Sequence, residues 1–292
     1  MVMTPALYAM LYLLGSALCW SGFDVTRKQL AAVLSATALV ALLTLGQVPL
    51  FLIWAGRDLL EVQPLGYLLP GGLGTALNVA ANLMFIRAVQ ISPLSLTIPL
   101  LGLTPVFASL LAIPMLGEVP SIQAWLGILL VVGGALWLNR RTDISLLAAL
   151  RRERGSLLMV GVSLLWALCS ALDKLALAHA SPAAHGALQC FGVGGVILIW
   201  LLLRGQLHEL GRVRRVKGTF LLAIAFGVGA LGLQFLALEV TFVSLVEALK
   251  RAIGVVLAVF AGRIFFGETV GRQKLVSVLL MAIGVAFFAM PG

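Results

Sequence analysis

Charge is what this sequence has least of. Only 11% of its 292 residues are Asp, Glu, Lys or Arg, against roughly 25% in a soluble domain, which excludes a water-soluble domain of ordinary composition. Cysteine is scarce too. Cys19, Cys169 and Cys190 stand singly inside apolar segments, without the clustering of a disulfide framework or a zinc site. They read as small packing residues. Met1–Tyr8 has no basic cluster, and Ala6–Phe23 offers no cleavage site, so the first apolar run is expected to be a span and not a signal peptide. P-loop, HExxH and nucleophile-elbow motifs are all missing from the sequence, which argues against ATP-driven pumping and against an enzyme. No catalytic residue, metal ligand or cofactor is expected.

Apolar residues make up 61% of the chain, and the mean hydropathy is +1.11. A spanning helix needs roughly 20 such residues, so ten spans take about 200. The runs place helices over Ala6–Phe23, Leu30–Trp54, Tyr67–Ala88, Leu94–Met115, Ile122–Leu138, Leu157–Leu172, Ala184–Leu203, Thr219–Leu238, Phe242–Phe266 and Leu275–Met290. Runs of this length are not the alternating strands of a barrel. The expected fold is an all-α integral membrane protein with ten transmembrane helices.

The net charge of +9 does not point to nucleic acid, because the basic residues sit between apolar runs, where topology signals belong. Sixteen of the twenty Lys and Arg fall in the odd-numbered loops and the helix ends beside them. Arg57 and Lys174 alone fall on the other side, and Lys250 and Arg251 lie within a span. The positive-inside rule then places the odd loops in the cytoplasm and both termini outside.

The sequence also repeats. Trp20 and Lys28 recur as Trp166 and Lys174, 146 residues on; Ala88–Gln90 recurs as Ala237–Glu239 at 149; Gly117–Glu118 recurs as Gly267–Glu268 at 150. Residues 1–138 and 156–292 are therefore read as two five-helix repeats joined by a basic cytoplasmic linker, 139–155. An odd number of spans in each forces the second to enter the membrane upside down, and inverted repeats place a substrate site near the midplane.

Three stretches, FIRAVQISPLSLTIPLLGLTPVFASLLAIPMLGE (Phe85–Glu118), SLVEALKRAIGVVLAVFAGRIFFGE (Ser244–Glu268) and the ALCW and SLLW motifs ending at Trp20 and Trp166, resemble the drug/metabolite transporter superfamily, in particular its EamA-type ten-helix group. The resemblance covers essentially the whole chain. It implies a secondary carrier in the bacterial inner membrane, with export of amino acids or other small metabolites as the common activity. Many members of that group are thought to keep both termini in the cytoplasm, whereas the charge count here places them outside. A flippase for a lipid or lipid-linked head group is the competing function.

Glu247, Lys250 and Arg251 carry the strongest local signal. A charge at a helix centre costs about 2.5–3.5 kcal/mol on insertion scales, so three together need partners or a polar cavity. Spacings of three and four bring both cations within a turn of Glu247, and Gly254, Ala258 and Gly262 continue the face with small residues suited to close packing. The group is expected to hold an anionic or carboxylate-bearing solute, or to lock the helix to its neighbours. Glu247 is also the candidate for a coupled proton, since a carboxyl in low dielectric can exchange one as its surroundings change. Asn78 and Asn82, with Thr75, form a polar stripe on the third helix, for substrate or for another helix. Pro99 and Pro105 free the carbonyls of Ser95 and Leu101 in the fourth. Trp20 and Trp166 are expected near the walls of the site, and Lys28 and Lys174 are either symmetry-related gates or snorkelling helix-end lysines. Asp24 lies four residues before Lys28 and Asp173 next to Lys174, which fits local pairing as well as gating. His179, His185 and His208 are expected in solvated loops, and Glu118 and Glu268 as loop anchors. The partners implied are a small-molecule substrate, the lipid bilayer and a coupled proton, for a monomer or a homodimer.

Overall fold

The computed structural model describes residues 5–92, 98–138, 154–266 and 271–289. Among these, the backbone forms ten α-helices and no strand: α1 (Pro5–Leu30), α2 (Ala36–Ala55), α3 (Pro64–Ile91), α4 (Thr104–Leu116), α5 (Ile122–Leu138), α6 (Arg154–Leu177), α7 (Pro182–Leu203), α8 (Lys217–Val240), α9 (Val243–Phe266) and α10 (Arg272–Ala289). Short 3₁₀ segments cover Gly56–Leu60, Ile98–Leu103 and Leu207–Val216. The linker residues 139–153, Ser95, Gly267 and Glu268 lie outside the described residues.

The expected ten helices are present, with most boundaries moved by a few residues, and the shifts at the end of α1 and in the fourth helix have local reasons. Helix α1 runs past Phe23 to Leu30, because Arg27 pairs with Asp24 across one turn at 2.8 Å and the Thr26 hydroxyl bonds back to Phe23 at 2.9 Å. Polar residues leave the hydrocarbon there without leaving the helix. The fourth helix is not one continuous α-helix over Leu94–Met115. Ile98–Leu103 is 3₁₀, and α4 begins at Thr104 with Pro105 in its first turn, where a missing N–H costs nothing. The Leu101 carbonyl, expected to be free, accepts the Thr104 hydroxyl at 2.7 Å. At its other end α4 closes on Gly117, whose φ of 67° is the left-handed turn that glycine adopts without strain.

Helices α2 and α7 start alike. Ser35 and Ser181, again 146 residues apart, each cap the helix by accepting the N–H three residues on, at 3.4 and 3.3 Å.

The helices group into two compact units, and each draws on both halves of the sequence. The first, residues 1–79 and 172–240, packs α1 along α8 and α2 along α7. Glycines make these approaches close. Gly22 lies against Phe226, Gly186 against Phe51, and Gly194 against Thr44 and Leu45. The second unit, residues 80–171 and 241–292, packs α5 along α10 and α4 against α9. A Cβ on Gly284 would stand 2.7 Å from the Gly127 carbonyl oxygen, so that crossing admits no larger residue. Gln273 donates to the Trp137 carbonyl at 2.7 Å, closing the end of α5.

The exterior is apolar. Ile53, Leu65, Leu68, Leu69, Ile199 and Leu203 all stand exposed, and among the described residues five helical stretches are long and apolar enough to cross a membrane. Such a surface in water would be an aggregation site; in lipid it is the required solvent contact.

Candidate functional site

In the second unit, α9 buries Glu247 to 1% exposure. Its Oε1 accepts from Lys250 Nζ at 2.6 Å and from Ser170 Oγ, on α6, at 2.8 Å. Oε2 is buried with no hydrogen-bond partner among the described residues. The two cations divide. Lys250 turns back one turn onto Glu247, while Arg251 reaches the fully buried Thr104 at the start of α4, Nη2 to Oγ1 at 3.4 Å. Both cations are half-buried. One turn further on, no described atom lies within 4 Å of where a Gly254 Cβ would stand. The side chains of Ala258 and Gly262 are outside the described set.

The remaining expected site residues fall in both units. Trp166 stacks at a tilt on Phe85 in the second unit, with ring centres 5.6 Å apart. Trp20 belongs to the first unit, where its indole Nε1 donates to Gln234 Oε1 at 3.0 Å. Asn78 and Asn82 are half-buried on α3, the former in the first unit and the latter in the second. Thr75 lies against Gly192 of α7. Lys174 is half-buried in the last turn of α6. Lys28 falls in the last turns of α1, and its side chain is outside the described set. Glu118 is an anchor: buried, it accepts the Val243 backbone N–H at the start of α9, at 2.8 Å.

One sequence expectation is corrected here, at His185. Asp24 pairs with Arg27 at 2.8 Å. Asp173 Oδ1 receives the Gln189 amide at 2.6 Å and faces His185 Nε2 at 3.2 Å. His185 is not a solvated loop residue. It lies in the first turn of α7, 1% exposed, with Nδ1 2.9 Å from the Tyr67 hydroxyl. Ser181 and Pro182 start α7 early enough to draw the imidazole inside. His208, in the 3₁₀ segment, is exposed as expected, and His179 bonds to Gln63 at 3.1 Å. Ser170, Thr104, Tyr67 and Gln189 carried no sequence motif. Their signal is only that a polar side chain stands within an apolar run.

The family model for EamA-like transporters matches the chain twice, over residues 7–140 and 153–290. The chain belongs to the EamA-like transporter family. Its two matches give the transporter the two-repeat architecture of the drug/metabolite superfamily, embedded in a membrane through many passes. One solved structure, described only as "Crystal structure of protein", aligns over 96% of each chain with a TM-score of 0.73 and 17% identity; that likeness shows the fold. No curated protein matches the sequence significantly.

Proposed function

We propose that this transporter is a secondary carrier that moves a small, charged polar metabolite, amino acid-like or anionic, across the bacterial cytoplasmic membrane. The observation that carries this reading is the Glu247–Lys250–Arg251 cluster. Two half-buried cations stand within one turn of a buried carboxylate, one of whose oxygens has no hydrogen-bond partner among the described residues. An α-amino acid offers the complementary set, with a carboxylate for the cations and an ammonium for Glu247 Oε2. Arg251 is the better carboxylate holder, because its planar head can bond both oxygens at once. Coupling runs through a proton or an exchanged solute. Alternating access follows from two repeats of opposite orientation, whose exchange of conformation turns an inward-open site outward. Export is the direction that the family resemblance implies.

A thermal-shift screen of the purified protein tests the substrate class. Amino acids and carboxylates at about a hundred times their Kd should add roughly 2.7 kcal/mol of stability, raising the unfolding temperature by several degrees. A shift with glycerophosphate head groups alone would replace the carrier by a lipid flippase.

Orientation is a separate prediction. With the termini outside, a phosphatase fused at Gly292 is active and a fluorescent protein there is dark; at Gly211 the pattern reverses. A bright, phosphatase-negative Gly292 fusion would overturn the charge argument.

A further inference from the structure

We infer that Tyr67, Asp173 and His185 form a proton-binding site inside the first compact unit, separate in its residues from the Glu247 cluster. The inference deepens the carrier reading and rests on it for the purpose of the site, since a carrier without an ATPase needs an ion or a counter-solute to drive it. It moves the coupling proton from Glu247, whose Oε1 is already held by Lys250 and Ser170, to a pair that no sequence motif marks.

The geometry supplies the argument. His185 Nε2 lies 3.2 Å from Asp173 Oδ1, and Nδ1 lies 2.9 Å from Tyr67 Oη. Gln189, one turn along α7 from His185, donates its amide to the same Oδ1 at 2.6 Å. Asp173 and Gln189 are buried beside the histidine, at 5% and 4% exposure. The titratable groups that face the imidazole are Asp173 from α6 and Tyr67 from α3. Helix α8 presents Phe235, with ring centres 4.7 Å apart, and α2 presents Phe51 at the neighbouring Gly186. Along α6, Lys174 is the cation next to Asp173 in sequence.

With Asp173 ionised, two arrangements of these atoms satisfy both ring nitrogens. An ionised carboxylate only accepts, so Nε2–H must donate to Asp173. Nδ1 can then accept the Tyr67 O–H, with the imidazole neutral and the cluster carrying one negative charge. Alternatively Nδ1 holds a proton and donates it to Tyr67 Oη, with the imidazolium and carboxylate neutralising each other. Passing between the two adds one proton to Nδ1 and turns one hydroxyl hydrogen. No heavy atom has to move. A purely structural tie between α3, α6 and α7 would need no titrating pair, and a lone buried carboxylate is expensive to hold. Chains of Asp, Glu and His within membrane proteins are one means by which pumps and transporters relay protons.

The test is nitrogen NMR of the purified full-length protein, labelled at its histidines and held in lipid nanodiscs without any solute. The signal lost in His185→Gln identifies the residue among the three histidines. Between about pH 5 and pH 9, the range in which histidine exchanges its charge, that signal should switch reversibly from the Nε2–H tautomer to the doubly protonated ring. In Asp173→Asn it should stay neutral throughout. A wild-type ring fixed in one protonation state over the whole range overturns the inference, and needs no variant to do so. Because no solute is present, that failure is distinct from failure of the carrier reading, which the thermal-shift screen decides.

Discussion

Arg251→Ala is expected to abolish movement of whichever solute stabilises the wild-type protein, while insertion and folding survive. The guanidinium is half-buried and its described hydrogen bond, to Thr104, is long at 3.4 Å. Thr104 keeps its own bond to the Leu101 carbonyl when the arginine is gone, so α4 retains its start. Truncating one partner of a desolvated charge pair costs about 2–5 kcal/mol of binding, equivalent to roughly 30-fold to several-thousandfold in affinity. Arg251→Lys separates charge from geometry. It should restore part of the binding if a point charge is enough and none if the solute carboxylate is held by two parallel bonds. Thermal shift against solute concentration gives the affinity, and size-exclusion of the detergent-solubilised variant confirms the fold. Full affinity in Arg251→Ala would remove the arginine from the site.

Much of the fold could be read from hydropathy, because a bilayer imposes length and apolarity on each span separately. That is why all ten helices were expected, and why the errors fell where hydropathy and helicity part company. Asp24, Arg27 and Lys28 are outside the apolar run but still helical. Pro105 sits within an apolar run yet marks the beginning of α4. The candidate site was only half legible. Glu247, Lys250 and Arg251 stand on one helix and their spacing announces the ion pair. Asp173, His185 and Tyr67 come from α6, α7 and α3, at separations with no period. Their meeting is a property of packing alone. His185 was misplaced for a further reason: it is the fourth residue of α7, and hydropathy cannot tell whether the first turn of a span faces water or a neighbouring helix. Ser170 was missed because a serine inside a span usually bonds to its own helix, as Ser163 does to the Met159 carbonyl at 2.9 Å. Here its hydroxyl goes instead to Glu247.

Glu247→Gln is expected to have the largest effect on stability of any single isosteric change in the protein. The glutamine fits the same space and can still accept the Ser170 hydroxyl, so shape and one hydrogen bond are kept. Charge is what changes. Lys250, whose side chain is 19% exposed and 2.6 Å from the carboxylate, loses its counter-ion in a low-dielectric setting. Removing one member of a buried pair typically costs about 3–5 kcal/mol, whereas replacing both with apolar groups of similar volume is close to neutral. The double variant Glu247→Gln/Lys250→Met should therefore recover most of the unfolding temperature that the single variant loses. Recovery of transport should not follow, because the cation and the carboxylate that meet the solute are both gone. That split separates a structural ion pair from a binding one in the same pair of proteins. If the single variant melted like wild type, the pair would be a weak surface contact; if the double variant still bound solute at full affinity, Arg251 and Thr104 would have to carry recognition without it.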